Sequence, residues 1–363
     1  MKLVGIGDLF VPCWAISRGF AELAAHGVQV ETVEWQLDGF DQLQATNLQV
    51  EQCGSDAVEP PNDIFAAAAD AEILITHFCP VTRRLIDACP RLKVIGVLRG
   101  GYENVNFAHA KKKGLLVFNT PGRNADAVAD FTIGMIIAEA RNIARGHHGL
   151  KNGEWIRTYP NYQHIPDLPG RTVGLIGLGE IGLKVARRLA GFDVQILGYD
   201  PYADPARVAQ HGVRLVGLDE LLVAADFVSL HARLTADNRH LIGPRELALM
   251  KPTAYLINTA RAGLVDEDAL YHALKERRIA GAALDVFEKE PPGRDHPLVT
   301  LANVTLTPHM AGGSVDAFVN SPKRLAADMA HLFGRREDIH YLLNRERLSA
   351  FGSLPPESNT TSI

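Results

Sequence analysis

Between Thr172 and Gly182 the chain reads TVGLIGLGEIG, an apolar strand that runs into Gly177-x-Gly179-x-x-Gly182 and then into a helical pattern. A bare GxGxxG arises by chance, but a strand before it and a helix after it give each glycine a duty. Gly177 allows a tight turn, Gly179 lets the backbone approach a pyrophosphate, and Gly182 lets the helix pack closely on the sheet. The helix N-terminus then offers free N–H groups to phosphate oxygens. A second strand, Val194 to Asp200, ends in an acid 18 residues after Gly182. A carboxylate there would hydrogen-bond an adenosine ribose and repel a 2′-phosphate, which favours NAD over NADP. Arg187, Arg188 and Arg207 could meet such a phosphate, but the first two fall on the solvated face of the helix.

A chain of 363 residues is long for one core, so two domains are expected. The net charge of −5 and the lack of any dense basic run beyond Lys111–Lys113 argue against nucleic acid as a partner. Cys13, Cys53, Cys79 and Cys89 show neither CxxC spacing nor a pairing framework. They read as buried thiols in a reducing compartment, and no metal site is expected. The start resembles a strand and not a leader, and no run of 18 apolar residues follows. The expectation is a cytoplasmic protein with no membrane partner.

Short apolar strands at 2–6, 28–34, 72–76, 93–97 and 115–118 alternate with helical patterns. A second series covers 172–176, 194–200, 226–230, 254–258, 281–285 and 303–306. Such alternation implies parallel α/β sheets. A turn at Asn119–Gly122 and a long Ala/Ile-rich helix over 124–146 join the two series, and the helical stretch at 314–334 suggests that the chain returns to the first. The expected organisation is residues 1–120 plus 314–345 as a discontinuous first domain and 121–313 as a dinucleotide domain. Residues 346–363, with Pro355-Pro356 and no periodicity, are expected to be a disordered tail.

Three groups stand just past strands of the second series, where ligands of open α/β sheets bind. They are Arg261 in NTARAG, Glu290 in LDVFEKEP and His309 in TPHMAGG. Hydride transfer from a hydroxy acid needs a proton acceptor, a group that polarises the carbon–oxygen bond, and a grip on the carboxylate. Histidine serves the first near neutral pH. An arginine fork serves the others. A glutamate beside the imidazole orients it and favours its protonated form.

With these motifs in order, together with ADFVSLHARLT at 225–235, the chain resembles the D-isomer-specific 2-hydroxyacid dehydrogenase family over about residues 70–335, phosphoglycerate dehydrogenase-like in character. The resemblance implies two Rossmann-like/flavodoxin-like parallel-sheet domains with an interdomain active-site cleft, and NAD as cofactor. It implies Arg261 on the substrate and Glu290 paired to His309 as acid–base. It implies that the first-domain loop with Arg99, Gly100 and Gly101 meets the substrate carboxylate, with His77 and Phe78 lining the pocket. The cofactor contacts it implies are Gly177, Gly179, Glu180, Ile181, Gly182, Asp200, His231, Ala232, Thr259, Ala260, Gly312, and Asp285 near the carboxamide. The family also pairs subunits through the helix and arm between its domains, so the aromatic-bearing arm Trp155–Tyr162 implies a homodimer.

Departures from the family pattern bear on specificity. Glu103-Asn-Val-Asn106 replaces the usual Asp-Asn-Val-Asp, and Arg233 stands where a proline is common. Thr76-His-Phe-Cys-Pro80 lacks the basic residue that holds a phosphate in phosphoglycerate dehydrogenases. Two other functions share these motifs. One is oxidation of a hydride donor such as phosphite, and the other is an NAD(H)-sensing scaffold like the C-terminal binding proteins. Glu290, where formate enzymes use glutamine, argues against formate.

Overall fold

The computed structural model describes residues 1–334 and 336–350. It divides into two compact units, one made of residues 1–123 with the stretch from Val315 onward, the other of residues 124–314.

The first unit is built on a five-stranded parallel sheet of β1 (Lys2–Gly7), β2 (Gln29–Glu34), β3 (Ile73–Thr76), β4 (Val94–Val97) and β5 (Leu116–Phe118), in the order β2-β1-β3-β4-β5. Strand residues alternate between two cores, as the two-residue period of a strand requires. Leu3, Ile73, Ile75, Val94, Leu116 and Phe118 pack on one face with Phe20, Leu325 and Met329. Val4, Ile6, Leu74, Ile95, Val97 and Val117 pack on the other with Ile64, Leu85 and Ile86. This unit also includes the helix Val315–Val319 and the helix Ser321–Ala330, which has Pro322 in its first turn.

The second unit holds seven parallel strands: β6 (Thr172–Ile176), β7 (Gln195–Tyr199), β8 (Val213–Leu215), β9 (Phe227–Leu230), β10 (Tyr255–Asn258), β11 (Gly281–Leu284) and β12 (Val304–Leu306). Their order is β12-β11-β10-β9-β6-β7-β8. Leu230, Leu256 and Leu284 face one core, and Phe227, Tyr255, Ile257 and Ala283 the other. Sequence periodicity did not reveal β8, an edge strand of three residues with a single buried position.

Two further expectations are corrected. The helix expected over 124–146 is two helices, Ala125–Ala140 and Ile143–Lys151. They break at Asn142, which takes φ 58° and donates from its side chain to Asn161 at 2.7 Å. Asparagine tolerates this left-handed conformation better than most residues. The tail expected to lack structure from 346 begins with a 3₁₀ turn, Arg345–Ala350. Asn344 anchors it by donating to Leu115 O and accepting from Val117 N, and Leu348 packs on the first core. Residues 351–363 of that expectation lie outside the described residues.

Candidate active site

In the second unit the sheet order reverses between β6 and β9, the place where ligands of such sheets bind. The glycine turn leaves β6 there. Gly177 has φ 93°, and Gly182 is so close that a Cβ on it would lie 2.1 Å from Gly177 O. Gly179, by contrast, has nothing within 4 Å of a Cβ position. The helix Glu180–Leu189 begins at Gly179 with no side-chain cap, so its first N–H groups lack a partner from that source. Ile181 is half-buried in its first turn. At the end of β7, Asp200 accepts from Leu178 N at 2.8 Å and Tyr202 N at 2.9 Å, which ties the acid to the glycine turn. Arg188 is bound to Asp126 and Asp130 and is not available to a phosphate.

His231 and Ala232 follow β9 and press on Gly177. His231 shares a hydrogen bond with Ser229 Oγ at 2.9 Å through Nε2, while its Nδ1 is out of water and has no partner among the described residues. An open cradle, uncapped helix N–H groups and this orphaned nitrogen fit a dinucleotide. Burial pulls the imidazole pKa down to about 3. Unfolded chains take up this proton near pH 6.5, so stability falls as pH drops from 6.5 towards 3, by up to about 1.4 kcal/mol per unit. His231→Gln is expected to shrink the loss between pH 6.5 and 5 by about 2 kcal/mol in urea unfolding; equal losses in both proteins would exclude His231 as the cause.

Arg261, Glu290 and His309 follow β10, β11 and β12, three adjacent strands. His309 Nδ1 lies 2.8 Å from Glu290 Oε2, and Glu290 Oε1 accepts from Phe287 N at 3.1 Å. Both side chains are partly open to solvent. Asp285, fully buried, braces the histidine loop by accepting from Thr307 Oγ1 at 2.6 Å, Met310 N at 3.0 Å and Ala311 N at 2.8 Å. The carboxylate expected at the carboxamide is thus committed to the loop that carries His309. Arg261 is exposed and extended, donates to Ala260 O, and makes no hydrogen bond to Glu290 or His309.

Asn258 shapes the Arg261 turn by accepting from Ala260 N at 3.0 Å and donating to Arg261 O at 3.0 Å. Sequence reasoning passed over it, although an asparagine ending a strand before small residues is a turn signal. Thr132 Oγ1 donates to Val128 O at 2.8 Å and shares a 2.8 Å hydrogen bond with the Thr259 hydroxyl. Gly312 abuts the Asn124 side chain, 2.4 Å from a Cβ position.

The first-domain residues sit at the carboxyl ends of β3 and β4. Arg99 donates to Asn47 at 2.7 Å and pairs with Glu51 at 2.6 Å, so its fork is engaged. Asn119 donates to Gly100 O at 2.6 Å, whereas the N–H groups of Gly100 and Gly101 have no acceptor among the described residues. His77 is buried against Asp8. Among the described residues no group could hold a metal ion and no helix is long and apolar enough to cross a membrane. All four cysteines are free, but only Cys79 and Cys89 are buried; Cys53, the last residue of the helix Phe40–Cys53, is exposed and Cys13 is half-buried, against the expectation that all four are buried.

A family model described as D-isomer specific 2-hydroxyacid dehydrogenase, NAD binding domain, matches residues 133–311. The chain is 46% identical over 251 residues to the D-3-phosphoglycerate dehydrogenase of Methanocaldococcus jannaschii, covering 68% of this chain and 47% of that one, so it spans about half the length of that relative. It is 45% identical over 240 residues to the glyoxylate reductase of Thermofilum pendens, covering 65% of this chain and 70% of the relative. In fold it resembles the NAD-complexed D-isomer specific 2-hydroxyacid dehydrogenase of Lactobacillus delbrueckii ssp. bulgaricus, with TM-score 0.73 at 24% identity over 92% of this chain and 97% of that one.

Proposed function

Because the chain belongs to the D-isomer specific 2-hydroxyacid dehydrogenase family, a family of NAD-dependent oxidoreductases, we propose that it interconverts a D-2-hydroxy acid and the corresponding 2-oxo acid. The observation that carries this reading is the His309–Glu290 bond on a loop braced by Asp285.

The glycine turn and Asp200 would hold the dinucleotide, which when bound would supply hydride chemistry at carbon 2 of the acid. His309 gives a proton to the oxo oxygen in reduction and takes it back in oxidation, from the ring nitrogen that Glu290 does not hold. Glu290 fixes the ring orientation and stabilises its charge, as a carboxylate beside an imidazolium does. The Arg261 guanidinium binds the acid in a planar fork and stays charged throughout. In the first unit, the free N–H groups of Gly100 and Gly101 are donors suited to a carboxylate.

The test is a panel of short 2-oxo acids with NADH, followed by loss of reduced-nicotinamide absorbance. Turnover of any member supports the reading; tight NADH binding with no turnover would sink it. Asp200→Ala is expected to weaken NADH binding by about tenfold and to narrow the preference over NADPH, as loss of one charged hydrogen bond of about 1.5 kcal/mol implies. An unaltered preference would mean that another group reads the ribose.

Homodimer formation belongs to the same proposal. Trp155, Ile156 and Tyr162 on the arm are 81%, 48% and 58% exposed, an apolar surface that a partner subunit would cover. Sedimentation should show a dimer that Trp155→Asp combined with Ile156→Asp converts to monomer; a monomeric parent protein would end this part of the proposal. The four free thiols suit a cytoplasmic setting.

A further inference from the structure

The loop that carries Glu290 is held to its own unit by a second histidine–carboxylate pair, to which the reaction above gives no task. From Val286 to His296 no backbone N–H donates to a backbone carbonyl among the described residues, so side chains must hold this stretch in place. Two of them are Glu267 and His296, which belong to the second unit together with Glu290 and His309.

Glu267 opens the helix Glu267–Lys275, directly after the Asp266 cap, and its place in the first turn suits a negative charge. Its Oε1 accepts from Glu288 N at 2.7 Å, and its Oε2 lies 3.3 Å from His296 Nε2. Both oxygens are acceptors, so the ring nitrogen that faces them is the donor. One carboxylate thereby ties together both ends of the excursion from Glu288 to His296. The imidazole meets the Phe287 ring edge-on, with centroids 5.9 Å apart and planes at 79°. Phe287 N, one residue before Glu288 N, donates to Glu290 Oε1 at 3.1 Å, and Glu290 Oε2 lies 2.8 Å from His309 Nδ1. A continuous set of contacts thus runs from Glu267 to the acid–base pair.

Two observations set this pair apart from an ordinary surface contact. The His296 and Glu267 side chains are 15% and 16% exposed, whereas those of the neighbouring pair Arg239 and Glu288 are 56% and 38% exposed. Exposed pairs contribute little. Arg239, together with His240 at 3.3 Å, occupies the Glu288 carboxylate and leaves Glu267 to bind the backbone. The second observation is that His296 Nδ1 is out of water and has no partner among the described residues. A buried nitrogen without a partner costs free energy. An apolar side chain would fill the place against Phe287 without that cost, so packing alone does not account for a histidine here. The bond from Nε2 to Glu267 does.

Glu290 is partly open to solvent, and on a loop without backbone bonds its carboxylate would sample positions away from His309. A displacement on the order of 1 Å at a catalytic group can cost about 100-fold in rate. We infer that Glu267 and His296 are positioning residues, which fix the loop so that Glu290 stays on His309. The inference rests on the proposed reductase reaction, since turnover reads it.

The test measures kcat with NADH on the short 2-oxo acid that the protein reduces fastest, together with NADH affinity and Tm. Glu267→Gln keeps the size of the side chain but sets an amide donor against one of the two donors it must accept. It should lower kcat by about 10- to 100-fold and leave the NADH dissociation constant within about twofold. His296→Leu, which removes the donor, should do the same, whereas His296→Gln, whose amide N–H can replace Nε2–H, should recover most of kcat. A double-mutant cycle separates positioning from general damage. In the Glu290→Ala variant nothing is left to position, so adding Glu267→Gln should lower kcat by a further factor of no more than about three. A loss under about threefold in Glu267→Gln and His296→Leu, or a loss of full size in the Glu290→Ala background, overturns the role and leaves the reaction standing. Equal losses in His296→Gln and His296→Leu do so as well. An unsubstituted protein that reduces no 2-oxo acid overturns the reaction and the positioning role with it. If Glu267→Gln fails to fold, the two His296 variants, alone and with Glu290→Ala, decide.

Discussion

His309→Ala is expected to lower kcat for the 2-oxo acid by about 10²–10⁴-fold, the range for loss of a positioned proton donor. The dissociation constant for NADH should change little. The reason lies in how the loop is held. Its bonds run from Thr307, Met310 and Ala311 to Asp285, and none involves the imidazole. Truncation removes the acid and leaves the brace. His309 has φ 50°, where alanine is strained, so His309→Asn is the matched control, since asparagine accepts that conformation. Both variants should lose turnover to a similar degree, read by steady-state rates, with NADH affinity read by fluorescence titration. A loss of turnover below tenfold would remove His309 from the acid–base role, and a parallel collapse of NADH binding would make it a structural residue.

The parts of the molecule legible in the sequence are those where a local pattern and a global constraint coincide. Eleven of the strands are apolar runs bounded by turn residues, and the glycine spacing at 177–182 is readable because Gly177 and Gly182 each meet backbone that admits no Cβ. The placement of Arg261, Glu290 and His309 after β10, β11 and β12 was legible because each of those strands is a short apolar run. What the sequence concealed depends on partners distant in the chain. Asp8 and His77 are 69 residues apart and meet only through the strand order. The engagement of Arg99 by Glu51 needs the helix Phe40–Cys53 to meet the loop that follows β4, which no periodicity specifies. Asp285 reads as a strand-end acid, and only its three bonds reveal that it supports the histidine loop. The break at Asn142 falls inside an unbroken helical pattern because its cause is Asn161, nineteen residues on.

The glycine turn yields the other large effect, and two of its glycines, Gly177 and Gly179, should separate stability from binding. At Gly177, φ is 93° and a Cβ would lie 2.4 Å from Ala232 N and 2.7 Å from Ala232 Cα and His231 C. All three are backbone atoms, so no side-chain rotation relieves the clash. Backbone strain of about 1–3 kcal/mol and overpacking of about 1–3 kcal/mol give Gly177→Ala a cost of roughly 2–6 kcal/mol. That is a large part of the roughly 5–15 kcal/mol by which a domain is stable, and it should lower Tm by roughly 5–20 °C. Gly179 has φ −71° and open space around its Cβ position. Gly179→Ala should therefore melt within about 2 °C of the parent, a shift worth less than 1 kcal/mol. Its methyl group, however, would occupy the cradle at the start of the helix Glu180–Leu189, where a pyrophosphate must approach the backbone. NADH binding should weaken by tenfold or more, about 1.4 kcal/mol, in a protein whose fold is intact. Calorimetry and NADH titration on both variants test the pair. If Gly179→Ala bound NADH normally, the pyrophosphate would have to lie elsewhere than on this turn; if Gly177→Ala melted normally, Ala232 would have to yield more readily than a residue wedged between β9 and the turn should.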